Sequence, residues 1–474
     1  MTYKPVLLTA LAEIRQFFKL AVPLIASEVI FALSGFFATV MIADLGNEAL
    51  AAHAIVWNIY LTLILFFIGI LFSISILVSQ SFGAKDSASI KICFNQGILL
   101  AIISTPIMIA IMKFCPLILV WTNQDSTIIK LATPAFNSFL WTILPLTILI
   151  VLEQFFIGIN KAYLVTAVSI LSVPIQLFFF YVLLFGKFGF PKLGLASIGY
   201  GLAISHYLIA IPFLLYLFFS KQFKIYNLFK DWWKINLKFF FELIQLGLPL
   251  GIMFAFEVGL FAAIAIMMGK LGTNILAAYQ ISYQYFMIAL VILFGLIQAT
   301  TVRVGIEVGR NNRRSLRFGV GINIVVGLAI MMCFSCFYIY LPKLAISLDI
   351  DINDPQLQEL VITASKFLSA VGILILVDCI RLMSTGALRG LKDTKIPTMI
   401  SFIGFWCIAF PMAYLLGFKF KLGGIGIWWG LIIGLSVSAT ILFFRFNRMS
   451  KHINLEALIT KADRNSLLKK TSDG

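Results

Sequence analysis

LGNEALAA at 45–52 and LGTNILAA at 271–278 carry Leu-Gly and then Leu-Ala-Ala at identical spacing, a shift of 226 residues. Working outward at that shift, Pro23 meets Pro249, Gly69 meets Gly295 and Gly83 meets Gly309. A register that holds from Pro23 to Gly83 without a gap is not what a shared apolar bias produces. Further along, the shift drifts with loop length. Leu193-Gly194 through Tyr200-Gly201-Leu202 answers Leu422-Gly423 through Trp429-Gly430-Leu431, and Pro174 answers Pro411. The chain is one unit written twice.

The material of that unit is apolar. Of 474 residues, 61% are hydrophobic and 12% are charged, against roughly 25% charged in a water-soluble domain. Lipid must therefore solvate much of the surface, and each span needs about 20 apolar residues. Apolar runs between charges and turn residues predict an all-α integral membrane protein of about twelve transmembrane helices. The first six are 17–40, 52–80, 92–112, 131–152, 162–185 and 193–219. The second six are 239–268, 276–303, 316–340, 356–384, 396–416 and 422–446. Six is even, so the two repeats run the same way through the membrane, and repeats of this kind rock about a site at their interface. The expected domains are an N-lobe at 1–219, a basic linker at 220–238, a C-lobe at 239–446 and a polar tail at 447–474. Gly426, Gly430 and Gly434, four apart on the last span, permit close helix packing.

The formal charge of +16 does not point to nucleic acid, because the basic residues sit between apolar runs and not along one face. One set of loops holds Lys4, Arg15, Lys85, Lys91, Lys161, the lysines from Lys221 to Lys238, Arg303, Arg310, Arg313, Arg314, Arg317, Arg389, Lys392, Lys395 and the tail from Arg445 to Lys470. That side carries about 25 basic residues against about 8 on the other, which predicts both termini in the cytoplasm of a multi-pass plasma membrane (bacterial inner membrane) protein. The first apolar run is followed by many others and is read as a retained span. Cys333 and Cys336 form a CxxC without a second pair inside a span, so they are read as packing residues. Three scattered histidines and no nucleophile motif argue against an enzyme.

Charge inside the hydrocarbon layer is costly and marks candidate function. Glu257 lies in Met253-Phe254-Ala255-Phe256-Glu257-Val258-Gly259, with no cation nearby in sequence; Asp378 lies in Leu374-Ile375-Leu376-Val377-Asp378. Together they could hold a proton or coordinate a sodium ion. Arg381, three residues beyond Asp378 and on the same helical face, could instead neutralise it. Glu28, Gln280, Tyr283 and Arg381 are the candidates for a substrate cavity. Glu153 reads as interfacial and His206 as a packed polar residue.

With these residues in view, the chain resembles the multidrug and toxic compound extrusion (MATE) family. The resemblance rests on the duplicated twelve-span plan, Pro23 followed by Leu45-Gly46 and Leu50-Ala51-Ala52, Arg303-Val304-Gly305 with Gly309, and Ala387-Leu388-Arg389-Gly390 with Lys392-Asp393. It implies V-shaped lobes around a central cavity that export organic cations in exchange for sodium ions or protons. In the NorM-like branch the second-lobe cation site uses a Glu on span seven and an Asp on span ten, which correspond to Glu257 and Asp378. A tyrosine found in some members one turn before that Asp is Leu374 here. The first lobe departs further: Ala38 stands where many bacterial members carry an Asp, and Ser172 and Gln176 flank Pro174 where they carry Asn. The resemblance therefore concentrates the coupling site on Glu257 and Asp378.

The favoured reading is a secondary antiporter, a monomer in membrane lipid that takes cationic amphiphilic small molecules. It uses H+ or Na+ as coupling ion, with no cofactor and no nucleotide motif. The alternatives are a flippase for lipid-linked oligosaccharides, which needs a basic cavity for which only Arg381, Arg303 and Lys366 are candidates, and a membrane-embedded enzyme.

Overall fold

The computed structural model describes residues 3–230, 232–352 and 354–461; the end of the tail, 462–474, lies outside the described residues. Among them no strand forms, and twelve helices are long and apolar enough to cross a membrane. In chain order these are α1 (Ala10–Ala43), α2 (Asn47–Gly83), α3 (Ser87–Trp121), α4 (Ser126–Gly158), α5 (Ala162–Phe185) and α6 (Ala196–Phe219). The second copy supplies α7 (Leu237–Leu271), α8 (Thr273–Gly309), α9 (Arg313–Tyr340), α10 (Pro355–Gly390), α11 (Lys395–Lys419) and α12 (Gly423–His452). Every expected span is present. Several run on past the apolar stretch, since a helix continues into water wherever nothing breaks it.

Backbone punctuation follows the duplication. Gly46 and Gly272 both take positive φ, at 96° and 133°, where a Cβ is penalised. After α2, Lys85 is left-handed (φ 56°) and Asp86 caps α3 by accepting the Ser89 N–H. After α8, Asn311 is left-handed (φ 54°) and Asn312 caps α9 by accepting the Ser315 N–H. Left-handed residue, cap and capped amide all recur at the same shift, so the two copies share turn geometry as well as hydropathy.

The chain folds into two compact units. One comprises Met1–Glu28, Ile252–Val304 and Asn312–Asn454; the other comprises Val29–Gly251, Gly305–Asn311 and Leu455–Gly474. The units do not follow the repeat boundary: the start of α1 belongs with the second copy and the start of α7 with the first. Close glycine contacts explain the exchange. In one unit a Cβ on Gly295 of α8 would lie 2.7 Å from the Ile25 N of α1; in the other a Cβ on Gly69 of α2 would lie 2.6 Å from the Gly251 N of α7. Gly69 corresponds to Gly295 and Ile25 to Gly251, so one helix crossing is used twice. Lipid is as apolar as a leucine, so helices in a membrane associate through close backbone approach at small residues.

On α12, Gly426, Gly430 and Gly434 face α11, where added Cβ atoms would come within 2.6 Å of the Leu416 O, 2.2 Å of the Ala413 N and 2.4 Å of the Ala409 Cβ. This is the tight packing their spacing predicts. α11 itself is π-helical over Ile403–Ala409 and Leu415–Lys419, on either side of Pro411, whose missing N–H disturbs the α-helical ladder.

Candidate functional site

Within the second copy, Glu257, Asp378 and Arg381 lie together. Asp378 and Arg381 lie one turn apart on α10, and both side chains have no exposed surface. The Arg381 Nε donates to the Asp378 Oδ1 at 2.5 Å. Its Nη2 crosses to α7 and donates to the Glu257 Oε1 at 2.9 Å. One guanidinium thus bridges two carboxylates on two helices, and its planar fork of donors is what makes this possible.

The π-helical stretch of α11 closes the cluster. The Phe405 ring lies 4.9 Å from the Arg381 guanidinium carbon, within cation–π range. The Trp406 Nε1 donates at 3.3 Å to the carbonyl of Phe256, the residue before Glu257, and the indole packs against the backbone at Gly259. Two turns beyond Arg381, Arg389 is 4% exposed, with its guanidinium carbon 5.8 Å from the Phe254 ring. The cluster therefore holds two acids and two bases and is formally neutral.

Its hydrogen bonding is incomplete. The Glu257 Oε2, Asp378 Oδ2, Arg381 Nη1, Ser384 Oγ and Arg389 Nε are buried without a partner. Buried polar groups are normally satisfied, so several unpaired atoms in one place single this cluster out as the candidate site.

Of the residues singled out from sequence, Glu257, Asp378 and Arg381 come together. Arg381 is thus a partner of both carboxylates. Tyr283 is half-buried on α8, its ring 5.6 Å from Tyr279 and 5.3 Å from Phe261, one turn beyond Glu257. Gln280 is exposed on the same helix and Glu28 is half-buried on α1. In the first copy the Ser34 Oγ donates to the Gln176 Oε1 at 2.5 Å, one turn before the buried Ala38. His206 is buried and packed on α6.

Sequence reading missed Phe405, Trp406 and the role of Arg389. Pro411 was the available signal, since a proline inside a span marks distorted helix. Arg303 and Arg389, counted above among loop charges, lie inside α8 and α10 and are buried, because both helices extend beyond their apolar runs. Arg303 is held by Glu13 of α1 through two bonds, Nε to Oε1 at 3.1 Å and Nη2 to Oε2 at 2.6 Å.

Breaking that pair should be costly. Arg303→Met is expected to lower stability by about 3 kcal/mol, since it strands a buried carboxylate, whereas Arg303→Met with Glu13→Leu should regain most of the loss. Thermal unfolding in detergent micelles checks this; equal stability of wild type and single variant contradicts it.

Twelve spanning helices built from two copies, with balanced charge buried in one of them, make a polytopic membrane protein, and its family and relatives place it among transporters and not enzymes. The MatE family profile matches residues 23–182 and 249–415, more than half of the sequence, and the chain belongs to the MatE family. A relative named "Probable multidrug resistance protein NorM" from Agrobacterium fabrum is 31% identical over 429 residues, covering 90% of this chain and 92% of the relative. A protein of the same name from Synechocystis sp. is 29% identical over 439 residues, covering 92% and 95%. Among solved structures, the eukaryotic MATE transporter AtDTX14 superimposes with a TM-score of 0.81 at 19% identity, over 95% of this chain and 98% of that one. At that identity the likeness speaks to the fold alone.

Proposed function

We propose that this chain is a multidrug efflux antiporter that exports organic cations in exchange for protons, with Glu257 and Asp378 as the coupling carboxylates and Arg381 as their tethered counter-ion. Relatives named as multidrug resistance proteins across nearly the whole length support the efflux reading. The observation that carries the mechanism is the shared guanidinium: two carboxylates hold one cation between them, and each keeps one oxygen unpartnered.

The choice of proton follows from that geometry. A proton can be placed on the Glu257 Oε2 or the Asp378 Oδ2 without moving Arg381. Once protonated, that carboxyl no longer forms an ion pair with the guanidinium, and charge-assisted bonds are about twice as strong as neutral ones. Arg381 then leans on the remaining carboxylate, and the balance of α7 against α10 changes. A sodium ion would first have to displace a fully buried guanidinium. Proton binding and binding of a cationic drug favour opposite-facing states, and the gradient supplies the energy. Parallel repeats supply the alternating access.

The flippase reading loses support, because Arg303 and Arg381 are already engaged by carboxylates and Lys366 is exposed on α10. We read the chain as a monomer of the bacterial inner membrane, and the bias of basic residues to one set of loops favours both termini in the cytoplasm.

The test is transport of a fluorescent organic cation in liposomes under an imposed proton gradient or an imposed sodium gradient. The proton gradient should drive uptake, the sodium gradient alone should not, and Glu257→Gln and Asp378→Asn should each reduce transport to the level of empty liposomes. No ion-driven movement, or transport indifferent to both substitutions, sinks the proposal.

A further inference from the structure

Where α11 begins and α12 ends, the surface opens into a groove of about 940 Å³ lined by residues of these two helices and Ile453. Its wall is apolar: Ile396 and Ile400 from α11, Ile441 and Phe444 from α12. Phe444 is 65% exposed and Ile441 44%, so this wall faces the surrounding medium. Its other end is basic. Arg445, Arg448 and His452 line it and fall at i, i+3 and i+7, one face of a helix.

The groove straddles the point where α12 changes character. From Gly423 to Phe444 the helix carries no charged residue, and Arg445, Arg448, Lys451 and His452 follow within two turns. That change marks the level at which hydrocarbon gives way to headgroups. Arg445 is anchored, its Nε donating to the buried Asp393 at 2.6 Å, which leaves its two terminal nitrogens available. Arg448 is exposed. Arg445 already neutralises Asp393, and among the described residues that line the groove none is acidic, so the lining presents uncompensated positive charge.

We propose that this groove binds one anionic glycerophospholipid, its acyl chain along Ile396, Ile400, Ile441 and Phe444 and its phosphate-bearing headgroup between Arg445, Arg448 and His452. A guanidinium pair of this kind suits phosphate oxygens, and basic pockets between spanning helices take anionic headgroups. The apolar wall demands a chain attached to that anion, which separates a lipid from free phosphate. The site is independent of the charge cluster at Arg381 and of the transport mechanism above.

Native mass spectrometry of the full chain decides this, with the protein exposed to an equimolar mixture of phosphatidylglycerol and phosphatidylethanolamine of identical acyl chains. Wild type should retain one phosphatidylglycerol per chain with about tenfold preference over phosphatidylethanolamine. Arg448→Gln should abolish most of the preference, Arg448→Lys should keep most of it, and Arg317→Gln, an exposed charge on α9, should leave it unchanged. Because Arg448 is exposed, these substitutions leave folding intact. Four outcomes overturn the proposal: equal retention of both lipids, a preference that survives Arg448→Gln, equal sensitivity to Arg317→Gln, or displacement of the lipid by millimolar inorganic phosphate.

Discussion

Arg381→Met is expected to be the most damaging single substitution in the second copy, lowering stability by about 5 kcal/mol, at the upper end of what breaking a buried ion pair costs. The variant keeps the volume of the side chain and removes its charge. Asp378 and Glu257, which now share a cation at 2.5 and 2.9 Å, would face one another across a gap that nothing neutralises, in a region of low dielectric where repulsion is weakly screened. Phe405 would lose the guanidinium above its ring, and α11 would lose a contact that fixes its π-helical stretch.

The same substitution opens a place for a small cation between two carboxylates. Sodium chloride should therefore raise the unfolding temperature of Arg381→Met more than potassium chloride or choline chloride at equal ionic strength, and should have no such selective effect on wild type. Unfolding curves in the three salts read this directly. If the variant is as stable as wild type, the guanidinium is not the keystone of the cluster. If wild type itself shows selective sodium stabilisation, the proton reading of the coupling site is wrong.

The second large effect is steric. Where α2 meets the end of α8, a Cβ on Gly83 would lie 2.2 Å from the carbonyl oxygen of Ile306, and a Cβ on Gly309 would lie 2.1 Å from that of Gln80. Gly83 corresponds to Gly309 and Gln80 to Ile306, so the two clashes are the same contact seen from each helix. Carbonyl oxygens in mid-helix cannot rotate away as a side chain can. Gly83→Val and Gly309→Val should each force the helices apart and leave little monodisperse protein on size-exclusion chromatography after detergent extraction. Gly321→Ala on α9, where a Cβ meets nothing within 4 Å, should be neutral or slightly stabilising. Normal yield of both valine variants would show that the crossing can relax.

Much of this architecture is legible in a single sequence because lipid imposes one rule. A spanning backbone must satisfy its own hydrogen bonds, so each apolar run has to be a helix. Run length then sets the number of helices, and the match of LGNEALAA to LGTNILAA reveals the duplication without any knowledge of packing. Glu257 and Asp378 stand out for the same reason: carboxylates in hydrocarbon are conspicuous against a uniform background.

What stayed hidden depends on which surfaces meet. Arg303 and Arg389 read as loop residues because hydropathy falls at the end of an apolar run, whereas the helix continues until a left-handed residue or a cap ends it, as at Asn311 and Lys392. No local pattern pairs Glu13 with Arg303 across 290 positions or brings Trp406 to the carbonyl of Phe256 across 150. Arg381 was visible as a neighbour of Asp378, one turn away on the same helix. Its bond to Glu257 was not, since reach between helices depends on how closely glycines allow their backbones to approach.

The sequence by itself determined that this is a twelve-helix membrane protein made of two parallel copies, with the candidate coupling acids Glu257 and Asp378 in the second. Hydropathy, repeat register and the cost of buried charge are properties of residues one at a time or at fixed spacing. Only the tertiary structure decided that the starts of α1 and α7 change units and that one guanidinium bridges the two acids. It also decided that α11 carries its aromatic rings to that bridge on a π-helical turn. Those outcomes are set by close packing between helices, an interaction that no single segment encodes.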